Sequence, residues 1–440
     1  MSNKGKGLRI GSYRITPLGL GVLAAILIII IALIVVSVLK PADTDDAAVS
    51  AAPAEIPTAT ELPDEPVATP VPTPVPTPEP TPEPTPEPRS ATIRALGEIA
   101  VQTNVLNAAK QEDGSYDFSE MFTYISDVMG NADYTIADVE GSLGGTVDPV
   151  GETLIITPPS IISNLKACGV DMLNLANDHA LDGYLSDLTA AIENCRNEDM
   201  EYVGAAASQE EKDTPKVINI NGINVGFLAY TESLNGMEKK SNENAVKFGV
   251  NLISKSINPK NDVKALKNAG AEVVICCVSW GEMLNRSATD MQKKIAQALV
   301  ASGVDVIIGY NPHVIQPATW IEMKDGKGNV AQRTLCLCSC GNFLSDCRQQ
   351  YGDSGIVFQF TLRDKEDRSG VEVVEPAYVP TYVWRFEKED KSFGYYTLPV
   401  GQYIESQPEN MNYAQVSRVK EVWAEAQSIM GSNVAACITE

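Results

Sequence analysis

Basic residues are scarce in this sequence. Its 440 residues include 34 lysines and arginines against 57 aspartates and glutamates, which gives a formal net charge of −23 at pH 7. No basic patch offsets this charge, so the composition argues against nucleic acid or an anionic membrane surface as a partner. A polyanionic ligand would need a metal ion or a local cluster of lysine or arginine side chains to meet it.

The sequence also lacks any Cys-x-x-Cys pair, although it contains nine cysteines. Without that spacing a structural zinc site is not expected, and buried free thiols are the default. Cys336, Cys338 and Cys340 alternate along a predicted strand, which would place them on one face. An odd number leaves at least one cysteine unpaired in an oxidising compartment. Cys340 and Cys347, on either side of a loop, could form a disulfide.

One long apolar run lies near the N-terminus. Residues 18–39 contain no charged side chain. At ~1.5 Å per residue they are long enough to cross the ~30 Å hydrocarbon core of a bilayer, so we expect a transmembrane anchor. Basic residues precede the run and aspartates follow it, which predicts that residues 1–17 are cytoplasmic and that the rest lies outside the cell membrane. A cleaved signal peptide is the competing interpretation, but its apolar core is usually only ~7–15 residues long.

Residues 40–90 cannot form a hydrophobic core. Proline occupies every second position from Pro70 to Pro88, in Val-Pro-Thr-Pro and Thr-Pro-Glu-Pro repeats. Such repeats lack amide donors and favour an extended polyproline II conformation of ~3.1 Å per residue. We interpret the segment as a disordered spacer that holds a domain away from the membrane, in preference to a set of proline-rich ligand motifs.

Predicted strands and helices alternate through the globular region, and they include helices over residues 118–129 and 290–302 and a strand over residues 371–374. This alternation predicts an α/β domain over residues 91–400, with a largely parallel sheet. Asn221-Gly222, between two apolar runs, indicates a hairpin, so the sheet should be mixed. Residues 401–440 form a C-terminal segment with a predicted helix over residues 413–430, which is expected to pack on the domain.

The most informative stretch follows a short apolar strand. The strand ends in Asn177-Asp178-His179, and Asp182 comes three residues later. Side chains at the carboxyl end of a parallel strand project into the crevice beyond the sheet edge, where α/β proteins place their chemistry. His313 follows another apolar strand in the same way. A single loop histidine is more often an ordinary surface residue, but two with the same placement favour a shared site.

Other predicted strands end in further oxygen and nitrogen ligands. These are Glu98, Asp138, Glu140, Glu282 and Asn311. Carboxylates, carboxamides and imidazoles that converge from separate strand ends suit a site for one or two metal ions, which would polarise a phosphoryl or acyl oxygen and activate water. Each residue alone is a weak signal, whereas their order along the chain is informative.

Several stretches between residues 93 and 346 form a series. They are Gly97-Glu98-Ile99, Gly114-Ser115-Tyr116-Asp117-Phe118, Ala132-Asp133-Tyr134 with Asp138-Val139-Glu140, Leu175-Ala176-Asn177-Asp178-His179-Ala180-Leu181-Asp182, Tyr202-Val203-Gly204-Ala205, Ser279-Trp280-Gly281-Glu282, Pro312-His313-Val314-Ile315-Gln316 and Ser339-Cys340-Gly341-Asn342-Phe343. The series resembles the CapA family of capsule or poly-γ-glutamate synthesis proteins.

The resemblance implies a four-layer α/β/β/α sandwich of the calcineurin-like metallophosphoesterase type. It also implies an extracytoplasmic role with a capsular polymer, or its membrane synthase complex, as partner. Ser279 and Asn311 stand where the family has histidines. A nitrogen-rich site for two metals is therefore not expected. The site should hold one hard ion such as Mn²⁺, Mg²⁺ or Ca²⁺, or it has lost its metal.

The resemblance also implies roles for individual residues. His179 would act as general acid or base, with Asp178 beside it. The metal ligands would be Glu98, Asp138, Glu140, Asn177 and His313. The substrate contacts would be Asp182, Glu282, Asn311 and Asn342.

These expectations lead to two main functional hypotheses. The first is a membrane-anchored, extracytoplasmic CapA-like protein that takes part in synthesis or export of a capsular polymer of the poly-γ-glutamate type, with weak or no hydrolase activity. The alternative is a metal-dependent hydrolase of a phosphoester or of the γ-linked polymer. A third, lower-ranked hypothesis is an adhesion or sensor module that has kept only the fold.

Overall fold

The computed structural model describes residues 9–10, 13–14, 87–253, 259–432 and 434–436. The chain divides into two compact units, Met1–Pro82 and Glu83–Glu440. In the first unit, the described residues form an antiparallel pair, β1 (Arg9–Ile10) with β2 (Tyr13–Arg14). The predicted anchor at residues 18–39 and the predicted spacer up to residue 86 lie outside the described residues. Within the described ranges, no helix has the length and apolar character needed to cross a bilayer.

The larger sheet of the second unit has nine strands. They are β3 (Ser90–Ala100), β4 (Tyr134–Glu140), β7 (Met172–Asn174), β8 (Glu201–Val203), β15 (Asn342–Leu344), β16 (Ser354–Asp364), β17 (Val371–Glu387), β18 (Phe393–Pro399) and β19 (Ala435–Ala436). Seven of them are neighbours in the order β18-β17-β16-β3-β4-β7-β8, while β15 pairs with β3 and β19 with β17. The strands β15, β3, β4, β7 and β8 are parallel, so their carboxyl ends meet at one edge.

The second sheet has six strands in the order β13-β14-β12-β11-β10-β9. They are β9 (Lys216–Ile220), β10 (Ile223–Thr231), β11 (Val273–Ser279), β12 (Val306–Tyr310), β13 (Ile315–Lys324) and β14 (Val330–Cys340). The four central strands are parallel, and the two edge strands are antiparallel to their neighbours. Asn221 and Gly222 join β9 to β10 with φ of 48° and 84°, which confirms the predicted hairpin and the mixed sheet. A separate hairpin pairs β5 (Val150–Gly151) with β6 (Ile155–Ile156).

Helices cover faces of both sheets. The α-helices of the second unit are Thr103–Ala109, Ser126–Gly130, Ser160–Ala167, Tyr184–Asn197, Gln209–Asp213, Pro259–Asn268, Asp290–Ser302 and Tyr413–Met430. Short 3₁₀ turns lie at Ser119–Phe122, Met237–Lys239 and Val400–Tyr403, and a π turn lies at Ala245–Gly249. The predicted α/β class is therefore confirmed.

Three of the four apolar clusters in the described residues join the sheets to each other or to the helices that flank them. One contains side chains of both sheets, such as Ile93 of β3 and Phe227 of β10. A second joins the nine-stranded sheet to helices, for example through Ile192. A third joins the six-stranded sheet to helices, for example through Leu266 and Leu299. The apolar cluster between the two sheets is thus shielded from solvent on each side by one sheet and the helices that pack on it.

The C-terminal helix Tyr413–Met430 matches the helix predicted over residues 413–430. It begins with a capping box between Asn412 and Gln415, and its buried residues include Val419, Val422 and Ala426. Arg418 binds the carboxylates of Asp353 and Glu425. The helix therefore packs on the domain through one apolar face.

Two local predictions are wrong. Apolar spacing over residues 118–129 predicts one continuous helix, but the segment is a 3₁₀ turn, Ser119–Phe122, followed by the helix Ser126–Gly130. Cys340 lies in the cluster between the sheets, whereas Cys336 and Cys338 pack on the helix side, so the three do not share a face. Cys340 and Cys347 are both free thiols.

Candidate active site at the carboxyl ends of the strands

A bulge in β3 aims Glu98 at the space between the sheets. Ile93 and Ala95 belong to the cluster between the sheets, whereas Leu96 and Ile99 belong to the helix-side cluster. Regular alternation would put residue 99 on the same face as residues 93 and 95, but the pairing with β4 shifts between Ala95 and Glu98. The extra residue turns Glu98 inward, where its side chain is only 3% exposed.

Glycine at position 97 allows the close approach that this bulge requires. The Glu98 N–H donates to Gly341 O at 2.8 Å. A Cβ at Gly97 would lie 2.7 Å from that same oxygen and 3.1 Å from Phe343 N, which are both backbone atoms. The end of β14 therefore holds β3 in the position that directs Glu98 into the site.

The side chains of Asp138 and Glu140, both in β4, point to the same face of the strand, toward the space between the sheets. Ala137 and Val139, which alternate with them, lie in the helix-side cluster. The Glu140 side chain is 4% exposed, and its Oε2 has no hydrogen-bond partner among the described residues. A buried carboxylate oxygen without a donor is rare, because nearly all buried polar atoms are paired.

His313 enters the site from the six-stranded sheet, after β12. Its Nδ1 lies 3.0 Å from Glu98 Oε1 and 3.0 Å from Asn342 Oδ1, and its Nε2 lies 3.9 Å from Glu140 Oε1. The residue has φ of 58°, in the left-handed region. This conformation costs about 1–3 kcal/mol for a non-glycine residue, so the surrounding loops must hold it there.

His179 enters from the nine-stranded sheet, in the loop after β7. Its Nδ1 lies 2.6 Å from Asp182 Oδ2, and its Nε2 lies 3.4 Å from Glu140 Oε1 and 3.7 Å from Asp178 Oδ2. Asp182 Oδ2 also accepts from the Ile155 N–H at 2.8 Å. Because Nδ1 faces this acceptor, Nε2 is the nitrogen that faces the site.

The charges of the site perturb one another strongly. Burial, reinforced by the charge of Glu98, raises the pKa of Asp138 and of Glu140 well above the ordinary carboxyl range. Burial also raises the pKa of Glu98, against the opposing charge of His313. Burial alone would lower the pKa of His179, but its hydrogen bond to Asp182 and the nearby acidic charges raise it to about 9. A concentration of shifted groups of this kind is typical of functional sites.

Two sets of ligand atoms in the described residues have the spacing of a metal site. One set is Glu98, Glu140 and His313, and the other is Glu140, Asp178 and His179; within each set the atoms lie within 4.8 Å of one another. Glu140 belongs to both sets. The unpartnered Glu140 oxygen is the group that a cation would satisfy, so the residues fit a divalent ion. Carboxylates with one imidazole per set suit Mn²⁺ or Mg²⁺ better than a soft metal.

Two predicted metal ligands make other contacts. Asp138 accepts a hydrogen bond from the Asn174 side chain and belongs to neither set. Asn177 Oδ1 accepts from the N–H groups of Gly141 and His179, while its Nδ2 donates to Val139 O at 2.9 Å. Asn177 therefore shapes the loop that carries His179, and its ligand role stays a prediction.

The four predicted substrate residues lie in different settings. Asp182 and Asn342 are buried behind His179 and His313, to which they are hydrogen-bonded. Asn311 Nδ2 donates to the backbone oxygens of residues 280 and 281, and its N–H donates to Glu98 Oε2 at 2.7 Å. Only Glu282 of the four is exposed. Asp182, Asn311 and Asn342 thus support the site from behind, and their direct contact with substrate stays a prediction.

Asn235 is a site residue that the sequence analysis missed. It lies beyond β10, in the loop of the other sheet, and its Nδ2 donates to Thr153 O at 3.0 Å and to Asp182 Oδ1 at 3.3 Å. The same nitrogen lies 3.3 Å from His179 Nδ1. Asn235-Gly236 is a turn signal in the sequence, but nothing local indicates that the turn reaches His179.

A cavity of about 900 Å³ lies away from this site, next to the edge strands β8 and β9. None of the predicted site residues lines it. Four of its charged side chains form ion pairs, Arg196 with Glu211 and Lys216 with Glu201. The chemistry of the molecule is therefore concentrated at the strand ends rather than in this cavity.

The fold and the site together define an α/β protein with an acidic, imidazole-containing centre suited to a divalent cation. The chain belongs to the bacterial capsule synthesis protein PGA_cap family, whose model matches residues 92–347. The family predicted from the motifs is thereby confirmed.

Two curated proteins are similar to the chain. It is 24% identical over 282 residues to the capsule biosynthesis protein CapA of Bacillus anthracis, a match that covers 62% of this chain and 64% of that one. It is 24% identical over 233 residues to the PGA biosynthesis protein CapA of Bacillus subtilis (strain 168), covering 51% and 57% respectively. The chain thus spans less than two thirds of either relative.

Among solved structures, the chain is similar to a hypothetical protein from Thermus thermophilus. The two share 15% identity with a TM-score of 0.34, over 66% of this chain and 99% of that one.

Proposed function

We propose that the protein takes part in the synthesis or export of an anionic capsular polymer of the poly-γ-glutamate type, and that its site binds a divalent cation for this purpose. Family membership supports the polymer. The observation that supports a cation is Glu140 Oε2, which is buried and has no hydrogen-bond partner in the part of the chain that the structure describes, while Oε1 faces the Nε2 atoms of His179 and His313. An anionic polymer could not approach this acidic centre without a positive charge there.

Glu98, Glu140 and His313 would hold the cation. When bound, it would supply Lewis acidity to an acyl or phosphoryl oxygen of the substrate. The protein groups around it have separate tasks. His313 is oriented by Asn342, and Glu98 is fixed by the backbone N–H of Asn311.

Hydrolysis of the γ-linked polymer or of a phosphoester is a second candidate activity. The pair formed by His179 and Asp182 favours it. In the metal-free protein the pKa of His179 is raised to about 9, so Nε2 carries a proton near neutral pH, on the side that faces Glu140 and Asp178. From this position it can donate a proton to a leaving group, as a general acid does.

The cellular setting is also part of the proposal. Residues 18–39 would anchor the chain in the cell membrane, and residues 40–90 would hold the domain outside, beside a membrane synthase complex. The apolar run and the proline repeats support this arrangement. Two sheets that share one apolar cluster, with helices on their other faces, support a four-layer sandwich of the metallophosphoesterase type.

Metal binding and polymer production test the proposal together. Glu140→Gln should abolish Mn²⁺ binding by the full-length protein in calorimetry and reduce the capsular polymer made by cells that carry it. Glu152→Gln, an exposed position in a neighbouring loop, is the matched control and should change neither. Normal polymer in cells with Glu140→Gln would overturn the proposed role of the site.

His179→Ala separates the second candidate from the first. If the purified protein hydrolyses γ-linked glutamate oligomers or a phosphoester with Mn²⁺, this variant should lose at least about a hundredfold in rate, the usual contribution of a general acid. Polymer production that depends on Glu140 but not on His179 would support the assembly role without hydrolysis.

A further inference from the structure

The loop after β11 carries an arginine and is hydrogen-bonded to the segment that bears His313. Leu284 N–H donates to Pro312 O at 2.8 Å, immediately before His313. Arg286 follows two residues later in the same loop. Since Asn311 also binds the backbone oxygens of residues 280 and 281, the loop is tied to the His313 segment at two points.

The backbone on both sides of Arg286 is fixed by one buried glutamine. Gln316 Nε2 donates to Asn285 O at 2.7 Å and to Ser287 O at 3.3 Å. Gln316 is itself held by Gln292, whose Nε2 donates to Gln316 Oε1 at 2.8 Å. A fully buried side chain that spans the residue before and the residue after Arg286 gives this arginine a rigid base.

The guanidinium of Arg286 is stacked but not neutralised. It lies 3.9 Å over the ring of Tyr351, and its Nη2 donates to Glu425 O at 3.4 Å. In the part of the chain that the structure describes, no carboxylate is within ion-pair distance of it. The nearby carboxylates of Asp353 and Glu425 are both bound to Arg418 instead.

A guanidinium that stacks on an aromatic ring and has no carboxylate partner is suited to binding an anionic ligand. Its face is covered by the aromatic ring, which leaves N–H groups at the edge for the two oxygens of a carboxylate. The neighbouring site carries Glu98, Glu140 and Asp178, which would repel such a ligand. A fixed cation beside them supplies the local attraction that the composition of the chain otherwise lacks.

We propose that Arg286, stacked on Tyr351, is a binding subsite for a carboxylate of the anionic polymer beside the metal-compatible site. The inference rests on the proposed function, which supplies the polymer. The subsite would hold one carboxylate of the polymer at Arg286 while another part of the polymer lies at Glu140 and His179.

Binding of a short γ-linked glutamate oligomer to the full-length protein with Mn²⁺ tests the subsite. Loss of a charge-assisted hydrogen bond predicts a dissociation constant raised about tenfold or more in Arg286→Met. Arg286→Lys keeps the charge but not the paired donors, so its effect should be intermediate. The matched control is Arg333→Met, because Arg333 stacks on Trp320 at 4.0 Å but lies seven residues before the end of β14, about 23 Å along the strand.

Each outcome of this experiment has a defined meaning. Weaker oligomer binding in Arg286→Met but not in Arg333→Met supports the subsite. Equal binding in both variants, equal losses in both, or no oligomer binding by the wild type would overturn it. If Arg286 is needed for inorganic phosphate and not for the oligomer, the carboxylate assignment is overturned in favour of a phosphate.

Two further measurements separate the subsite from folding and from the proposed function. The thermal unfolding temperature of Arg286→Met should stay near that of the wild type, and the Arg286→Lys variant repeats the test with the charge retained. Mn²⁺ binding in Arg286→Met should be unchanged. Loss of Mn²⁺ binding in Glu140→Gln tests the proposed function without reference to Arg286.

Discussion

The Nε2 atoms of His179 and His313 approach the same atom, Glu140 Oε1, at 3.4 and 3.9 Å. The two histidines belong to loops of different sheets, so Glu140 is the point at which the two halves of the site meet. Its second oxygen has no partner among the described residues. Changes at Glu140 should therefore affect the whole site more than changes at any single ligand.

Glu140→Gln should abolish stabilisation by Mn²⁺ and stabilise the metal-free protein. Burial and the charges of Glu98 and Asp178 raise the pKa of Glu140, so its ionised form is unfavourable without a cation. The neutral amide should therefore raise the free energy of unfolding of the metal-free protein. In the wild type, Mn²⁺ at a hundred times its dissociation constant should add about 2.7 kcal/mol. Thermal unfolding with and without Mn²⁺ measures both effects, and Glu243→Gln, which is exposed, is the control.

The pKa of His179 should make stability depend on pH in metal-free protein. Its folded pKa of about 9 exceeds the ordinary value of 6.5. The stabilisation should therefore be complete below about pH 6.5 and disappear as pH rises through about 9. Asp182→Asn replaces the charged acceptor that raises this pKa with a neutral amide, so the pKa should fall. Histidine NMR of ¹⁵N-labelled protein with a chelator gives the pKa directly, since the chain has only two histidines. Titration of His179 near 6.5 in the wild type would contradict the expectation.

Gly97→Ala should destabilise the fold and disturb Glu98. The new methyl group would meet Gly341 O at 2.7 Å and Phe343 N at 3.1 Å, and neither backbone atom can move freely. Overpacking of this kind costs about 1–3 kcal/mol. Chemical denaturation measures the loss, and Mn²⁺ affinity should fall because Glu98 moves away from His313. Gly326→Ala is the control, since nothing lies within 4 Å of its added Cβ; an equal loss in both variants would exclude the contact with β14 as the cause.

Arg89→Met should weaken the junction where the described domain begins. The guanidinium binds Asp364 at the end of β16 and Glu272 before β11, and it donates to Gly222 O, so it connects both sheets. Arg89 also lowers the pKa of Asp364 to about 2. The contribution of this pair should be present above about pH 4 and be lost as pH falls through about 2.

Thermal unfolding across this pH range measures the effect of Arg89→Met. The midpoint should fall by a few degrees at neutral pH and lose part of its dependence on acid pH. Arg363→Met is the control, because Arg363 is a half-buried arginine paired with Glu372 on neighbouring strands of the same sheet. A midpoint unchanged by Arg89→Met would show that solvent screening cancels the contribution of the pair.

Elements with strong local signals could be predicted from the sequence. The helices Asp290–Ser302 and Tyr413–Met430 have the predicted bounds, and each begins with a capping box that fixes its first turn. The strand Val371–Glu387 is much longer than the predicted residues 371–374. Pro376 and Pro380 lie within it and locally indicate an interruption, because proline is usually excluded from paired strands. Tertiary pairing with β16 and β18 overrides that local signal.

The residues that meet in the site could be predicted from the sequence, but their arrangement around the two histidines could not. Strand-end reasoning indicates the side chains that the structure brings together, which are Glu98, Glu140, Asp178, His179 and His313. It does not indicate that Asp182 and Asn342 lie behind the histidines, or that Asn235 reaches across from the other sheet. Those placements depend on how loops distant in sequence pack, and no local pattern encodes that packing.

The bulge in β3 decides which side chain of this strand reaches the site. From Ala95 to Glu98, β3 has three residue steps where β4 has two, so a strand of the same length without the bulge would exchange the directions of Glu98 and Ile99. A carboxylate would then enter a layer of phenylalanine, leucine and valine side chains, and an isoleucine would replace it beside His313. Related sequences that keep this chemistry and the length of this segment should therefore keep the bulge even where its residues differ.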